Sequence, residues 1–256
     1  MARYPFTSAL VTGASSGIGA EIARLLGEAG VPTVLVARRV DRLQEIADRY
    51  DGFEVLEADL GTTVGRAVCV ERMMSDDQPI DLVVNNAGFG TSGDFHELDI
   101  ARLEDEIELN VSALTTLSHA ALATMVPRGR GYLINVSSVA SFQAAPGLAV
   151  YAATKAYVTS LTEALHEETK GTGVHVTALC PGLTKTEFQA TSNSDRMTMS
   201  LPDFVWTSVA SVAATGLDDV AKNRALSVPG AIYKSAVAMS GITPRFITRR
   251  LSGLAR

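Results

Sequence analysis

Tyr151 and Lys155 stand four residues apart in YAATK, a spacing that puts both on one face of a helix. A free phenol has a pKa near 10 and is a poor acid or base at neutral pH. A fixed ammonium beside it would favour the phenolate and lower that value. Such a phenol can give a proton to a carbonyl oxygen as hydride reaches the carbon, or run the reverse. Ser138 lies thirteen residues before Tyr151. Its hydroxyl could hydrogen-bond the oxygen on which charge develops. Asn110 sits in the apolar stretch ELNVSALTTL. A buried Asn must find partners, and here it reads as a polar anchor for a water leading toward Lys155. Each signal has a bland counterpart: a chance YxxxK, strand-end turn chemistry at Ser137–Ser138, a helix-interior Asn bonded to a carbonyl. Their combination carries the reading.

A second group could bind phosphate. TGASSGIG, residues 12–19, places Gly13, Gly17 and Gly19 between an apolar run and a helical pattern. Gly13 would allow a tight turn, Gly17 a close backbone approach to a pyrophosphate, and Gly19 close packing of helix on strand. The helix N-terminus, around Ser15, Ser16 and Ile18, would offer N–H groups and a partial positive charge. The next apolar strand ends in Arg38–Arg39. A carboxylate there would select NAD by holding a ribose 2′-hydroxyl. A guanidinium instead grips a 2′-phosphate. Arg38, with Arg39 and a hydroxyl from Ser15 or Ser16, therefore argues for NADP(H).

These residues need a scaffold. Apolar runs at 7–12, 32–39, 53–60, 80–88, 132–139, 174–182 and 225–230 read as strands. Helical patterns at 19–29, 40–50, 63–75, 101–126, 150–170 and 208–222 lie between them, the last capped by Ser208. Strands alternating with helices predict an α/β fold, a doubly wound parallel sheet of Rossmann type. Ligands of such sheets bind beyond the carboxyl ends of the strands. Gly13, Arg38, Asp59, Asn85–Gly88, Ser138 and Pro181–Gly182 all fall there.

With that order on the page, the chain resembles the short-chain dehydrogenase/reductase family over nearly its whole length. TGASSGIG, Asp59, NNAG at 85–88, Asn110, Ser138, YAATK and PGLTKT at 181–186 carry the resemblance. It implies a catalytic tetrad of Asn110, Ser138, Tyr151 and Lys155, with Lys155 also holding the nicotinamide ribose. It implies that Asp59 meets the adenine amino group and that Leu60 flanks the ring. Asn86, Ala87 and Gly88 would support the sheet and the adenosine ribose. Pro181 and Gly182 would lead into Thr184, whose backbone would hold the carboxamide with the side chain of Thr186. The implied activity is NADP(H)-dependent reduction of a ketone or aldehyde, or oxidation of the matching alcohol. The alternative is a catalytically idle NADP-binding redox sensor, which would be free to lose the tetrad. In this family the helices at 101–126 and 150–170 resemble those that pair subunits, which implies a homodimer or homotetramer.

Composition bounds the rest. The chain has 256 residues, 46% hydrophobic and 20% charged, and no linker or repeat divides it, so one domain spanning 1–256 is expected. A net charge of −6 argues against a nucleic-acid partner. Cys69 and Cys180 read as reduced core residues of a cytoplasmic protein, and the sequons at Asn110 and Asn135 as accidental. No signal peptide and no apolar run of about 20 residues is seen. His96, His119, His166 and His175 lack metal-ligand spacing, so no metal is expected.

Residues 187–207 read as a mobile lid made apolar by Phe188, Met197, Met199, Phe204 and Trp206, with Phe89 and Phe142 on neighbouring loops. That suggests an apolar or acyl-type substrate. From Val220 to Arg256 there are seven basic residues and no acidic ones, against 15 basic and 28 acidic elsewhere. The extension 229–256 is expected to be helical. Ile232, Tyr233, Ala236, Val237 and Met239 would form one apolar face, and Phe246, Ile247 and Leu251 another beside Arg245, Arg249 and Arg250. A peripheral lipid or acyl-carrier contact is one reading, plain packing the other.

Overall fold

The computed structural model describes residues 3–193 and 202–243. Seven parallel strands form one sheet in the order β3-β2-β1-β4-β5-β6-β7. They are β1 (Ala9–Thr12), β2 (Thr33–Ala37), β3 (Glu54–Glu57), β4 (Leu82–Asn85), β5 (Gly131–Val136), β6 (Val174–Leu179) and β7 (Leu226–Ser227). Every strand foreseen is present; most are shorter than the apolar run that announced them, and β5 begins one residue earlier, at Gly131.

The strands read as continuous apolar runs because both faces of the sheet are covered. In β1, Ala9 and Val11 face one core while Leu10 faces the other. The first face takes α1 (Gly17–Glu28) and α2 (Val40–Ala47), joined late in the chain by α8 (Val209–Ala221), through Ile22, Leu26, Leu43 and Leu217. The second takes α3 (Thr63–Met73), α5 (Leu114–Arg128) and α6 (Ala149–Glu168), through Cys69, Leu117, Met125 and Leu165. Ser208 caps α8 by accepting from Ser211 N, as the sequence suggested.

The sequence predicted one uninterrupted α-helix over 101–126. The chain instead runs from α4 (Ile100–Ile107) through a π-helical turn (Glu108–Ala113) into α5. By length and hydropathy, Ile100–Arg128 would suffice to cross a membrane. Its apolarity has another account here, since Leu117, Ala121 and Met125 are buried on the sheet.

The strand order reverses between β1 and β4, and the crevice lies where their ends part. Polar links fix this junction. Thr12 Oγ1 donates to Val84 O and accepts from the amides of Asn86 and Ala87 at 2.9 and 3.0 Å. Asn86 Nδ2 donates to Thr12 O at 2.9 Å. Deeper in, Asn85 Nδ2 donates to Asn135 Oδ1 at 2.9 Å and to Ser118 Oγ at 3.1 Å, and Asn135 Nδ2 to Thr162 Oγ1 at 3.0 Å. This ties β4, β5, α5 and α6 together at fixed register. Asn110 and Asn135 are both buried, so neither sequon can accept a glycan.

After α7 (Phe188–Thr191) and α8, the extension folds as α9 (Ala231–Ile242). Its five apolar residues do not form one face. Tyr233 and Val237 pack against Ala178, Cys180 and Val228, while Ile232 and Met239 are exposed. Two apolar stripes ran along this helix, and the pattern could not say which would dock. Met197 and Met199 of the lid, and Arg245, Phe246, Ile247, Arg249, Arg250 and Leu251, lie outside the described residues.

Candidate active site

The glycine loop is built as the sequence requires. Gly13 adopts φ +63°, and a Cβ there would meet Asn86 Nδ2 at 2.8 Å. At Gly19 a Cβ would lie 2.5 Å from Gly13 O, so only glycine lets α1 start this close to β1. Gly17 has φ +56° and faces Thr186 across the crevice. Ser16 precedes α1 without capping it through its side chain, which leaves the first-turn amides of the helix, Ile18 among them, for an anion.

The arginines divide their work. Arg38 is largely exposed and only 3.9 Å from Asp59. Arg39 closes on the loop: its Nη2 donates to Ser15 Oγ at 2.9 Å and to Ser16 Oγ at 3.0 Å. Asp59 Oδ1 accepts from Gly61 N at 3.1 Å. Leu60 turns inward to the core at 5% exposure, which leaves little of it to flank a ring.

Beyond β4, Ala87 and Gly88 bring the chain against Asn110 and Lys155. A Cβ on Gly88 would sit 2.7 Å from Asn110 Oδ1 and 3.6 Å from Lys155 Nζ. Asn110 lies in the π turn, where an extra residue per turn re-aims side chains. It accepts from Phe89 N at 3.1 Å and donates to Phe89 O at 2.8 Å and to Thr154 Oγ1 at 3.1 Å. It therefore clamps the β4 loop to α6.

Ser138 starts a short 3-10 turn (Val139–Phe142) after β5, its hydroxyl accepts from Ala140 N at 3.1 Å, and it lies near enough to the Tyr151 phenol to pull its pKa down. Lys155, one turn after Tyr151, is buried and donates from Nζ to Val136 O at 2.8 Å. Its Nζ lies 5.8 Å from the Tyr151 ring centroid. Burial pushes the ammonium down to about 8. The sequence reading has the ammonium and the positive nicotinamide ring of an oxidised complex together lowering the phenol. In this structure burial outweighs every other influence on Tyr151 and pushes it up to about 12, with Ser138 pulling the other way. The tetrad is together, and its phenol holds its proton.

Pro181 O accepts from Val139 N, tying the loop after β6 to the Ser138 turn. Thr184 O accepts from Gln189 Nε2 at 2.8 Å, and Thr186 Oγ1 from Phe188 N at 3.2 Å. Of the aromatic residues assigned to the lid and its rim, Phe188 meets Tyr151, with ring centroids 5.2 Å apart. Phe204 is exposed, Trp206 lies under Lys185 Nζ, Phe89 under Arg102, and Phe142 packs near Cys180.

Three residues make contacts at or beside the site that the sequence reading did not foresee. Glu187 pairs with Arg39. Tyr233 accepts from Leu183 N at 3.1 Å and donates to Val205 O at 2.6 Å, and its ring covers Gly182. Glu106 on α4 is fully buried, its carboxyl facing Thr91 and raised by burial, with Lys155 and Arg102 opposing. A glutamate on the apolar side of an amphipathic helix was a legible signal for the last. The cysteines behave as expected: both are free and buried, Cys180 pushed up to about 11 and Cys69 to about 12.

Comparison with known proteins bears on this geometry. The family model of the short chain dehydrogenases matches residues 7–197. An uncharacterized oxidoreductase of Myxococcus xanthus is 38% identical over 198 residues, which are 75% of this chain and 78% of that one. Among solved structures, a short-chain dehydrogenase from Sphingobium yanoikuyae in complex with NADPH is 33% identical, with a TM-score of 0.82 over 92% of each chain. A bulky-bulky ketone specific alcohol dehydrogenase from Comamonas testosteroni is 30% identical, with a TM-score of 0.77 over 92% of each chain.

Proposed function

Because this chain belongs to the short-chain dehydrogenase/reductase family, we propose that it is an NADP(H)-dependent reductase of apolar ketones or aldehydes, or the matching alcohol dehydrogenase. The observation that carries the reading is the gathering of Tyr151, Ser138, Lys155 and Asn110 around Gly88 at the mouth of a glycine crevice, with Lys155 one helical turn from Tyr151. The residues suit the nucleotide: a cradle with no room for Cβ atoms, an uncapped helix N-terminus, and Arg39 with two serine hydroxyls.

In the reductive direction Tyr151 donates its proton to the carbonyl oxygen, and Ser138 hydrogen-bonds that oxygen as charge develops on it. The bound nicotinamide supplies or accepts the hydride. Lys155 holds positive charge beside the phenol and would bond the ribose, and Asn110 holds the β4 loop against α6 so that these groups keep their spacing. Phe188 over Tyr151 makes the mouth apolar, and the NADPH complex and bulky-ketone specificity named among the similar structures favour the same cofactor and substrate class. The intact tetrad disfavours an idle sensor.

A second copy of the chain is the proposed partner. Phe95, Ile107, Val111, Ala153 and Tyr157 line an apolar groove between α4, the π turn and α6. The test of function is a titration of NADPH and NADH by nicotinamide fluorescence, followed by turnover on a panel of ketones, aldehydes and acyl thioesters. NADPH is expected to bind more tightly and bulky ketones to turn over. A preference for NADH defeats the cofactor assignment, and Arg38→Asp should move the wild-type preference toward NADH.

A further inference from the structure

Glu187 puts a carboxylate on the groups that the nucleotide would use. It follows Thr186 and immediately precedes α7. Its Oε2 accepts from Arg39 Nη1 at 2.9 Å, and its Oε1 from Arg42 Nη1 at 3.5 Å. Arg39 spends its other nitrogens on the loop: Nε reaches Ser15 Oγ at 3.2 Å, and Nη2 reaches Ser15 and Ser16. The Ser16 hydroxyl lies close enough to help hold the Glu187 carboxyl below its ordinary value. Two guanidinium groups thus converge on one carboxylate at the lip of the glycine loop, and one of them, Arg39, also holds the Ser15 and Ser16 hydroxyls. A carboxylate and a phosphate are recognised by the same planar fork of donors. Arg39 commits Nε and Nη2 to the serines and one Nη1 proton to Glu187, so an arriving phosphate must share Nη1 with Glu187 or sit against its charge.

We propose that Glu187 is an internal competitor for the 2′-phosphate of the cofactor, occupying the Arg39–Ser15–Ser16 cradle until the nucleotide displaces it. This rests on the NADP(H) reading above. The adenosine moiety without a 2′-phosphate makes no claim on this cradle, so Glu187 tempers one cofactor and not the other. It acts as a specificity-determining residue, and it acts by opposing the preferred ligand. Arg39 and Arg42 alone would hold NADPH more tightly, and Glu187 keeps that affinity within the range from which product nucleotide can leave. The arginines and the glutamate are each about half exposed. Ion pairs in that setting are weak, so the competition is worth about three- to tenfold in Kd.

The test is Glu187→Gln, titrated by fluorescence and calorimetry with four probes: NADPH, NADH, 2′-AMP and 5′-AMP. The Kd values for NADPH and 2′-AMP should fall about three- to tenfold, and those for NADH and 5′-AMP should stay within about twofold. The gain should shrink as salt shortens the reach of these exposed charges. Arg42→Gln, which loosens one side of Glu187, should leave the NADH value equally unmoved. Equal changes for all four probes would make Glu187 a general clasp on the nucleotide and overturn the proposal. So would weaker NADPH binding, or no change. The wild-type ratio of NADPH to NADH affinity tests the cofactor reading separately. A wild-type preference for NADH sinks that reading, while the shift of the ratio in Glu187→Gln still decides the role of Glu187.

Discussion

Replacing Lys155 with Met should make the nucleotide-free protein more stable at neutral pH while destroying its activity. Lys155 is 5% exposed, and burial takes it from its ordinary value of 10.5 to about 8. That displacement corresponds to roughly 3 kcal/mol spent holding a buried ammonium at pH 7. Methionine fills similar volume without the charge. It also gives up the bond to Val136 O, which offsets about 1 kcal/mol. A net gain of about 2 kcal/mol is expected at pH 7. The pH dependence is the sharper signature. Between about 8 and 10.5 the unfolded chain keeps the Lys155 proton and the folded chain does not. Wild-type stability therefore rises through that window relative to the variant. The difference should shrink as pH rises and reverse to about −1 kcal/mol above it, once only the lost hydrogen bond remains. Urea unfolding of both proteins at a series of pH values reads this directly. A difference that stays flat from pH 7 to 10.5, or a variant less stable at pH 7, would refute the reasoning.

Tyr151→Phe removes the proton donor and should lower kcat by at least about a hundredfold, while NADPH titration stays near wild type. Gly19→Ala drives a methyl into Gly13 O and Asn86, and should cost about 1–3 kcal/mol in denaturant unfolding along with nucleotide affinity. Ile107→Glu places a charge in the apolar groove and should convert the expected dimer or tetramer to monomer in light scattering. A wild-type monomer at micromolar concentration would reject that surface as an interface.

Much of the fold was legible because its signals are local. Each strand is an apolar run bounded by turn residues, and Gly13, Gly19, Tyr151 and Lys155 are legible by their spacing together with the order of the motifs around them. What stayed hidden depends on contacts between distant segments. ELNVSA reads as ordinary helix, and only the pull of Phe89 and Thr154 on Asn110 accompanies its π turn. Glu187 looks like any surface acid until β2 and the loop after β6 bring it to Arg39. The depth of burial at Tyr151 stayed hidden for the same reason: sequence shows the neighbouring ammonium but not how far the ring is enclosed, and enclosure by itself raises the phenol.

Tyr233 deserves to be followed back to the ribosome. Its ring lies on Gly182, and its hydroxyl holds Leu183 and Val205 in place around the loop that carries Thr184 and Thr186. The glycine loop, by contrast, is synthesised well before it, since Gly13 precedes Tyr233 by a span that covers most of the sheet. A nascent chain that has already paired β1 with β2 and β4 must still wait for α9 before the far wall of its crevice is braced. Chains grow from the N-terminus at about 5–20 residues per second, so the stretch from Gly13 to Tyr233 takes on the order of ten to forty seconds to make. The wall opposite the phosphate cradle therefore cannot be braced until α9 has been made.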